Sequence, residues 1–151
     1  MDKVDILRKI KNGVCVVTSS HEGKPFGLTV AWCMRVNSDP EMIAISIGKK
    51  RKGYDVIKAG GRFAINILGD DHIEVGRHFG LSDGSSVDNF KDLDFERLKT
   101  GSPVLKDCVG ALDCELHQSL DLGDHELLIG KVVDFAERDG DSILFRKEDF
   151  P

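Results

Sequence analysis

The sequence predicts a mainly β fold with antiparallel strands, a small closed or partly closed barrel carrying short peripheral helices. β-branched and apolar runs recur along the 151 residues, separated by turn formers such as His21-Glu22-Gly23-Lys24-Pro25, Ser38-Asp39-Pro40 and Asp139-Gly140-Asp141. Most connections are too short to cross between parallel strands. Closure removes exposed edges, so a barrel suits this inventory better than an open sheet. The length fits one domain over residues 1–151, and a chain of this size buries about 68–70% of its unfolded surface without staples.

The elements follow in order. Val4, Leu7 and Ile10 recur at helical spacing, with Asp2 and Asp5 where the helix dipole favours negative charge and Gly13 beyond the end, so a helix is expected over 3–11. Val14-Cys15-Val16-Val17-Thr18-Ser19 is a strand, and a hairpin returns along 26–37, where Phe26, Leu28 and Val30 alternate with Gly27 and Thr29. Met42-Ile43-Ala44-Ile45-Ser46-Ile47 is nearly all apolar and belongs in the interior of a sheet. Tyr54, Val56 and Ile57 begin a short helix that stops at Gly60-Gly61. Phe63-Ala64-Ile65-Asn66-Ile67-Leu68 is the next strand, and Ile73, Val75, Arg77 and Phe79 sit in a helical segment. Residues 80–103, rich in glycine, serine and charge, are expected to be irregular and mobile. Long strands are expected over 109–120 and 126–136, turning at Gly123-Asp124, and Ile143-Leu144-Phe145 precedes a short tail.

Composition narrows the function. With 40% hydrophobic and 31% charged residues, the chain reads as a globule and not as a disordered acidic tail or a coiled coil. Its longest hydrophobic run, residues 30–34, falls far short of the ~18 apolar residues of a membrane helix. The charged start, Met1-Asp2-Lys3-Val4-Asp5, is unlike a signal peptide, so a cytoplasmic location is expected. The net charge of −5 argues against nucleic acid as a partner. Cys15, Cys33, Cys108 and Cys114 show no two-residue gap and read as free thiols in a reducing compartment.

Two features could carry chemistry. Lys49-Lys50-Arg51-Lys52 puts four cations between a buried strand and a helix start. As charge alone it is a solvated loop; by position, cations beside a helix N-terminus make an anion site suited to a phosphate. Thr29-Val30-Ala31-Trp32-Cys33-Met34 holds the single tryptophan in a strand of small and sulfur side chains, either plain core or a wall for a flat aromatic ligand. No metal site is expected, because Cys108 and Cys114 on one strand would stand about 20 Å apart. His72 and His78 share no helix face, and Ser19 and Ser20 beside His21 lack an acidic orienter. His125 follows a turn from which it can project at a barrel mouth, and its titration range suits proton handling.

Taken together, these segments resemble the flavin reductase-like family with its FMN-binding split β-barrel, an antiparallel Greek-key barrel. Gly13-Val14-Cys15-Val16-Val17-Thr18 is similar to the family's first strand, Gly27-Leu28-Thr29-Val30-Ala31-Trp32 to the strand entering the flavin site, and Asn37-Ser38-Asp39-Pro40-Glu41-Met42 to the turn that follows. Phe63-Ala64-Ile65-Asn66-Ile67-Leu68, Phe79-Gly80, Gly123-Asp124-His125 and Gly130-Lys131-Val132 continue the likeness in order. The resemblance implies that Thr29, Val30, Ala31, Trp32 and Cys33 line the flavin ring and ribityl chain, with Ser46, Ile47 and Gly48 on the opposite wall. It further implies that Arg51, Lys52, Gly53 and Tyr54 hold the phosphate. Family members often carry serine or threonine where this chain has Arg51 and Gly53, and serine where it has Trp32, so phosphate contacts would lean on charge and backbone N–H groups.

The implied activity is hydride transfer from NADH or NADPH to FMN, with FAD as an alternative, and onward passage of electrons to an acceptor. Backbone N–H groups around residues 31–33 would steady charge on the flavin, and His125 would hold the nicotinamide amide or shield the site. A homodimer with each flavin near the subunit boundary is implied. Two rivals stand beside this reading: an FMN-binding electron-transfer protein with a partner such as rubredoxin and no NAD(P)H activity, and a flavin-free interaction module.

Overall fold

The computed structural model describes residues 1–80 and 90–150. Its elements are α1 (Lys3–Leu7), β1 (Cys15–His21), β2 (Lys24–Val30), β3 (Cys33–Ser38), β4 (Glu41–Gly48), α2 (Lys52–Gly60), β5 (Arg62–Ile67), a 3-10 turn (Asp70–His72), α3 (Ile73–Phe79), β6 (Phe95–Arg97), β7 (Pro103–Leu105), β8 (Gly110–Asp121) and β9 (His125–Glu137). Seven strands pair antiparallel in the order β2-β1-β5-β8-β9-β4-β3, and β6 with β7 forms a separate ribbon.

That strand order explains the shape. β2 and β3 lie at opposite edges, yet only Ala31 and Trp32 join them. Two residues bridge roughly 10 Å, so the sheet must curl until its edges meet. The join is the seam of a split barrel, and at it one edge strand leaves β1, with Cys15 opposite Val30, while the other meets β4, with Cys33 opposite Ile45. Inside lies the main core of Val17, Leu28, Ile45, Ile47, Phe63, Ile65 and Leu128. β1 is buried on both faces: Cys15 and Val17 face this core, whereas Val14 and Val16 meet a second cluster with Leu68, Phe79, Phe90, Leu105 and Phe150. Two-sided burial is why β1 reads as a continuous apolar run.

Several expectations are corrected. The first helix spans Lys3–Leu7 and not 3–11. Past it, Lys9 N–H bonds to the Ile6 carbonyl and Ile10 N–H to Leu7, a tightening turn, and no residue of α1 is buried to sustain a longer helix. The return arm over 26–37 is two strands, broken at 31–32 because it changes partner there. Cys108 precedes β8, so it shares no strand with Cys114. Of the stretch 80–103, residues 81–89 lie outside the described residues, while the remainder is anchored by the β6–β7 ribbon and by Phe90, whose ring sits 5.1 Å from Phe79 and 5.2 Å from Phe95.

Candidate functional site

At the seam a cleft of about 280 Å³ is lined by Val30, Ala31, Trp32, Ser46, Gly48, Arg51, His125 and Phe145. The break at 31–32 makes it: Cys33 N–H turns back to the Ala31 carbonyl at 3.2 Å, and Ser46 N–H holds the Trp32 carbonyl at 3.0 Å. Pinned by its backbone, Trp32 leaves 55% of its surface exposed, and its ring lies 4.8 Å from the His125 imidazole, tilted by 40°. Gly48 pairs with His125 across β4 and β9. A Cβ at 48 would sit 3.7 Å from Arg51 Cγ and 3.8 Å from His125 Nε2, so glycine keeps the space between those two side chains open.

His125 is oriented by its neighbour, since Nδ1 is 2.8 Å from Asp124 Oδ1. With Nδ1 engaged there, Nε2 is the nitrogen nearer Gly48 and the cleft. The same contact holds the Asp124 carboxyl below the usual carboxylate range.

The cationic run divides. Lys49 is ion-paired with Asp121, which lowers that carboxyl, and its N–H bonds to the Asp124 carbonyl. Arg51 alone of the four lines the cleft. Its guanidinium donates to the Thr29 carbonyl at 3.1 Å and the Gly80 carbonyl at 3.2 Å, so it braces the end of β2 against the end of α3 while facing the opening. Arg51 is also the N-cap of α2 without a side-chain cap, and the first N–H groups of that helix have no helical carbonyl to meet. A phosphate beside Arg51 would find both.

The other predicted positions do not line the cleft. Thr29 is fully buried, its hydroxyl donating to the Gly76 carbonyl at 2.6 Å. Ile47 is in the main core, and Cys33 lines a second groove. Gly53 is buried where a Cβ would come within 2.5 Å of Leu28 Cδ2, so glycine there lets α2 lie on β2. Tyr54 packs against the core, and the neighbouring Glu126 carboxylate raises its phenol above the usual range. Lys52 is exposed at the start of α2. Sequence reasoning missed Phe145, an aromatic from the tail held by its N–H to the Asn12 carbonyl at 2.8 Å, and the orienting role of Asp124. Adjacency to His125 was the available signal for Asp124; nothing local marked Phe145.

A family model described as the flavin reductase like domain matches residues 7–151. The chain belongs to the flavin reductase-like family. It is 30% identical over 140 residues to a flavin reductase of Pseudomonas putida, covering 92% of this chain and 81% of that protein. It is 31% identical over 139 residues to the FMN reductase (NADH) SmoA of Agrobacterium fabrum strain C58, covering 92% and 78%. Longer relatives, among them the reductase component of a flavin-dependent trigonelline monooxygenase of Acinetobacter baylyi, are spanned over less than half their length. Among solved structures, the flavin reductase PheA2 superposes with a TM-score of 0.83 at 31% identity, covering 96% of this chain and 94% of that one. The split-barrel fold expected of a flavin reductase-like chain is therefore the one it has.

Proposed function

We propose that this flavin reductase-like chain is an NAD(P)H:flavin oxidoreductase that binds FMN at the seam, with NADH as the donor its relatives' names support. FAD is the alternative flavin and NADPH the alternative donor. The observation that carries the reading is the open gap between Arg51 and His125, floored by Gly48 and walled by Trp32, in a chain of this family. The residues fit the flavin by their chemistry: a guanidinium and a helix start for a phosphate, and small or aromatic surfaces for a flat ring. When bound, the flavin supplies the hydride acceptor and carries two electrons onward.

The chain's own residues do the rest. Arg51 and the first N–H groups of α2, at Lys52 and Gly53, hold the phosphate, while Tyr54 fixes the helix through Glu126. Val30, Ala31 and Trp32 support the rings, Thr29 and Cys33 hold that segment from behind, and Ser46, Ile47 and Gly48 form the facing wall. The backbone N–H groups of Ala31 and Trp32 are the donors toward the ring edge, that of Cys33 being held by the Ala31 carbonyl. His125, held by Asp124, presents Nε2 to the nicotinamide amide.

The chain acts as one domain and as a homodimer in the cytoplasm. Support for association comes from α1, whose Val4, Ile6 and Leu7 are all exposed on a helix with no buried residue; support for a reducing compartment comes from four cysteines without a disulfide. A partner would take up the reducing equivalents, in keeping with the relative named as a monooxygenase reductase component.

Anaerobic addition of NADH, then NADPH, to the FMN-loaded protein tests the activity. Bleaching of the flavin's visible bands is expected. An unchanged spectrum assigns the chain to FMN-binding electron carriers, and failure to bind added FMN leaves an interaction module.

A further inference from the structure

A second groove, of about 230 Å³, has walls that include Cys15, Cys33, Met34, Ile43, Ile65 and Leu112. Two of its residues are thiols. Cys15 opens β1 and is 4% exposed, and Cys33 opens β3 and is half-buried. Both line this one groove, although 18 positions in sequence separate them, and each thiol perturbs the other's titration. The pairing follows from the seam: Cys15 lies opposite Val30, and the break at 31–32 returns the chain to it at Cys33.

The two thiols are unequal. Cys33 lies below the usual thiol range beside Cys15, whereas Cys15 is raised by its neighbour Cys33 and by burial. Cys33 is the thiol with access to solvent, whereas Cys15 is shut in, so Cys33 is the one a peroxide reaches. The other cysteines are poor competitors. Cys114 is fully buried, and burial pushes its thiol up to about 12. Cys108 sits in a separate cluster with Ala64, Val104 and Ala111. Among the described residues no group of three potential ligands forms around the pair, so a metal centre does not explain it.

We propose that Cys15 and Cys33 are a peroxide-sensitive dithiol that closes reversibly into an intramolecular disulfide across the seam. The Cys33 thiolate attacks one oxygen of a hydroperoxide; the O–O bond breaks, water (or an alcohol) leaves, and Cys33 becomes a sulfenic acid. The Cys15 sulfur then displaces the hydroxyl as water and the S–S bond forms. Two thiols lose two electrons and two protons, and hydrogen peroxide is reduced to two waters. A small dithiol reverses the step by exchange. The bond would tie β1 to β3 one residue from Trp32, linking the oxidation state of the pair to the wall of the flavin cleft. The chemistry needs neither flavin nor nucleotide, so it stands or falls apart from the activity proposed above.

The test is native oxidation of the pre-reduced protein by a few equivalents of hydrogen peroxide, followed by peptide mapping without reductant. A cross-link between the Cys15 and Cys33 peptides is expected, with the loss of two hydrogens, recovery in dithiothreitol, and free Cys108 and Cys114. Cys33→Ser should slow peroxide consumption by about ten-fold or more, and Cys15→Ser should leave a sulfenic acid on Cys33 that dimedone traps. Both variants are read alongside wild-type circular dichroism, and the mapping of the unmutated chain decides the matter if either fails to fold. A link from Cys33 to Cys114, disulfides only between molecules, irreversible sulfinate on Cys33, or four intact thiols after excess peroxide would each overturn the proposal.

Discussion

The middle of the sheet and its seam are built on opposite terms. In β5, Phe63, Ala64 and Asn66 are fully buried, and Asn66 is matched internally: its amide donates to the Val16 carbonyl at 3.0 Å and Thr18 Oγ1 at 3.1 Å and accepts from Leu105 N–H at 2.8 Å. At the seam, Ala31 and Trp32 belong to no strand, and Arg51 and His125 face an open cleft. A buried polar group without a partner costs about 1–3 kcal/mol, a cost that Asn66 avoids through these three bonds. The seam, where the sheet changes partner, is where polar groups can face outward for a ligand. Stability and binding should therefore separate on mutation.

The sharpest separation is expected from Phe63→Ala. Phe63 is fully buried in the main core, and Gly130 lies so close that a Cβ there would come within 2.5 Å of its ring. Truncation should cost about 3–5 kcal/mol in urea unfolding, while flavin affinity of the folded protein stays within about two-fold. A loss under about 1 kcal/mol would erase the contrast. Arg51→Ala should do the reverse. Loss of one charge-assisted contact to a phosphate is expected to weaken FMN binding about ten-fold, near 1.4 kcal/mol, by fluorescence titration. The same variant should bind riboflavin, which lacks the phosphate, with nearly wild-type affinity; equal losses for both flavins would leave Arg51 as a brace for Thr29 and Gly80 alone.

The contrast also shows what the sequence could reveal. Periodicity and turn residues located β1, β4, β5, β8 and β9, because burial of a strand acts on every residue along it. The seam was harder. The break at 31–32 depends on which strands the chain pairs with, and Val30, Ala31 and Trp32 look alike whether the arm continues or turns. Within the cationic run, charge could not tell Arg51, which lines the cleft, from Lys49, which is paired with Asp121 some seventy residues away. His125 was legible from its place after a turn and Gly48 through family resemblance, whereas Phe145 enters the cleft from a tail without periodic pattern. Gly53, expected beside a phosphate, is also required by the packing of α2 on Leu28.

His125→Ala probes a contact made by the nucleotide and not by the flavin. With the Asp124 contact and the tilted Trp32 ring on one imidazole, its loss should raise KM for NADH several-fold, with FMN affinity nearly unchanged. Steady-state kinetics at saturating flavin would show it, and unaltered kinetics would remove His125 from the site.

The smallest effect is expected far from both regions, at Glu96 on the β6–β7 ribbon. Its carboxylate meets Arg138 Nη2 at 2.6 Å, just beyond β9, and Lys106 Nζ at 3.6 Å. Those cations, Arg138 first, hold Glu96 below the usual carboxylate range. A carboxyl with a lowered folded pKa favours the native state above the unfolded value, about 4.3, and that contribution fades as pH falls through the folded one. Glu96 is partly exposed, so solvent screens the pair. Wild type should therefore exceed Glu96→Gln slightly in urea midpoint near pH 6.5, and the gap should close toward pH 3. A gap that persists at pH 3, or widens, would mean that the ribbon is anchored by packing around Phe90 and Phe95 and not by charge.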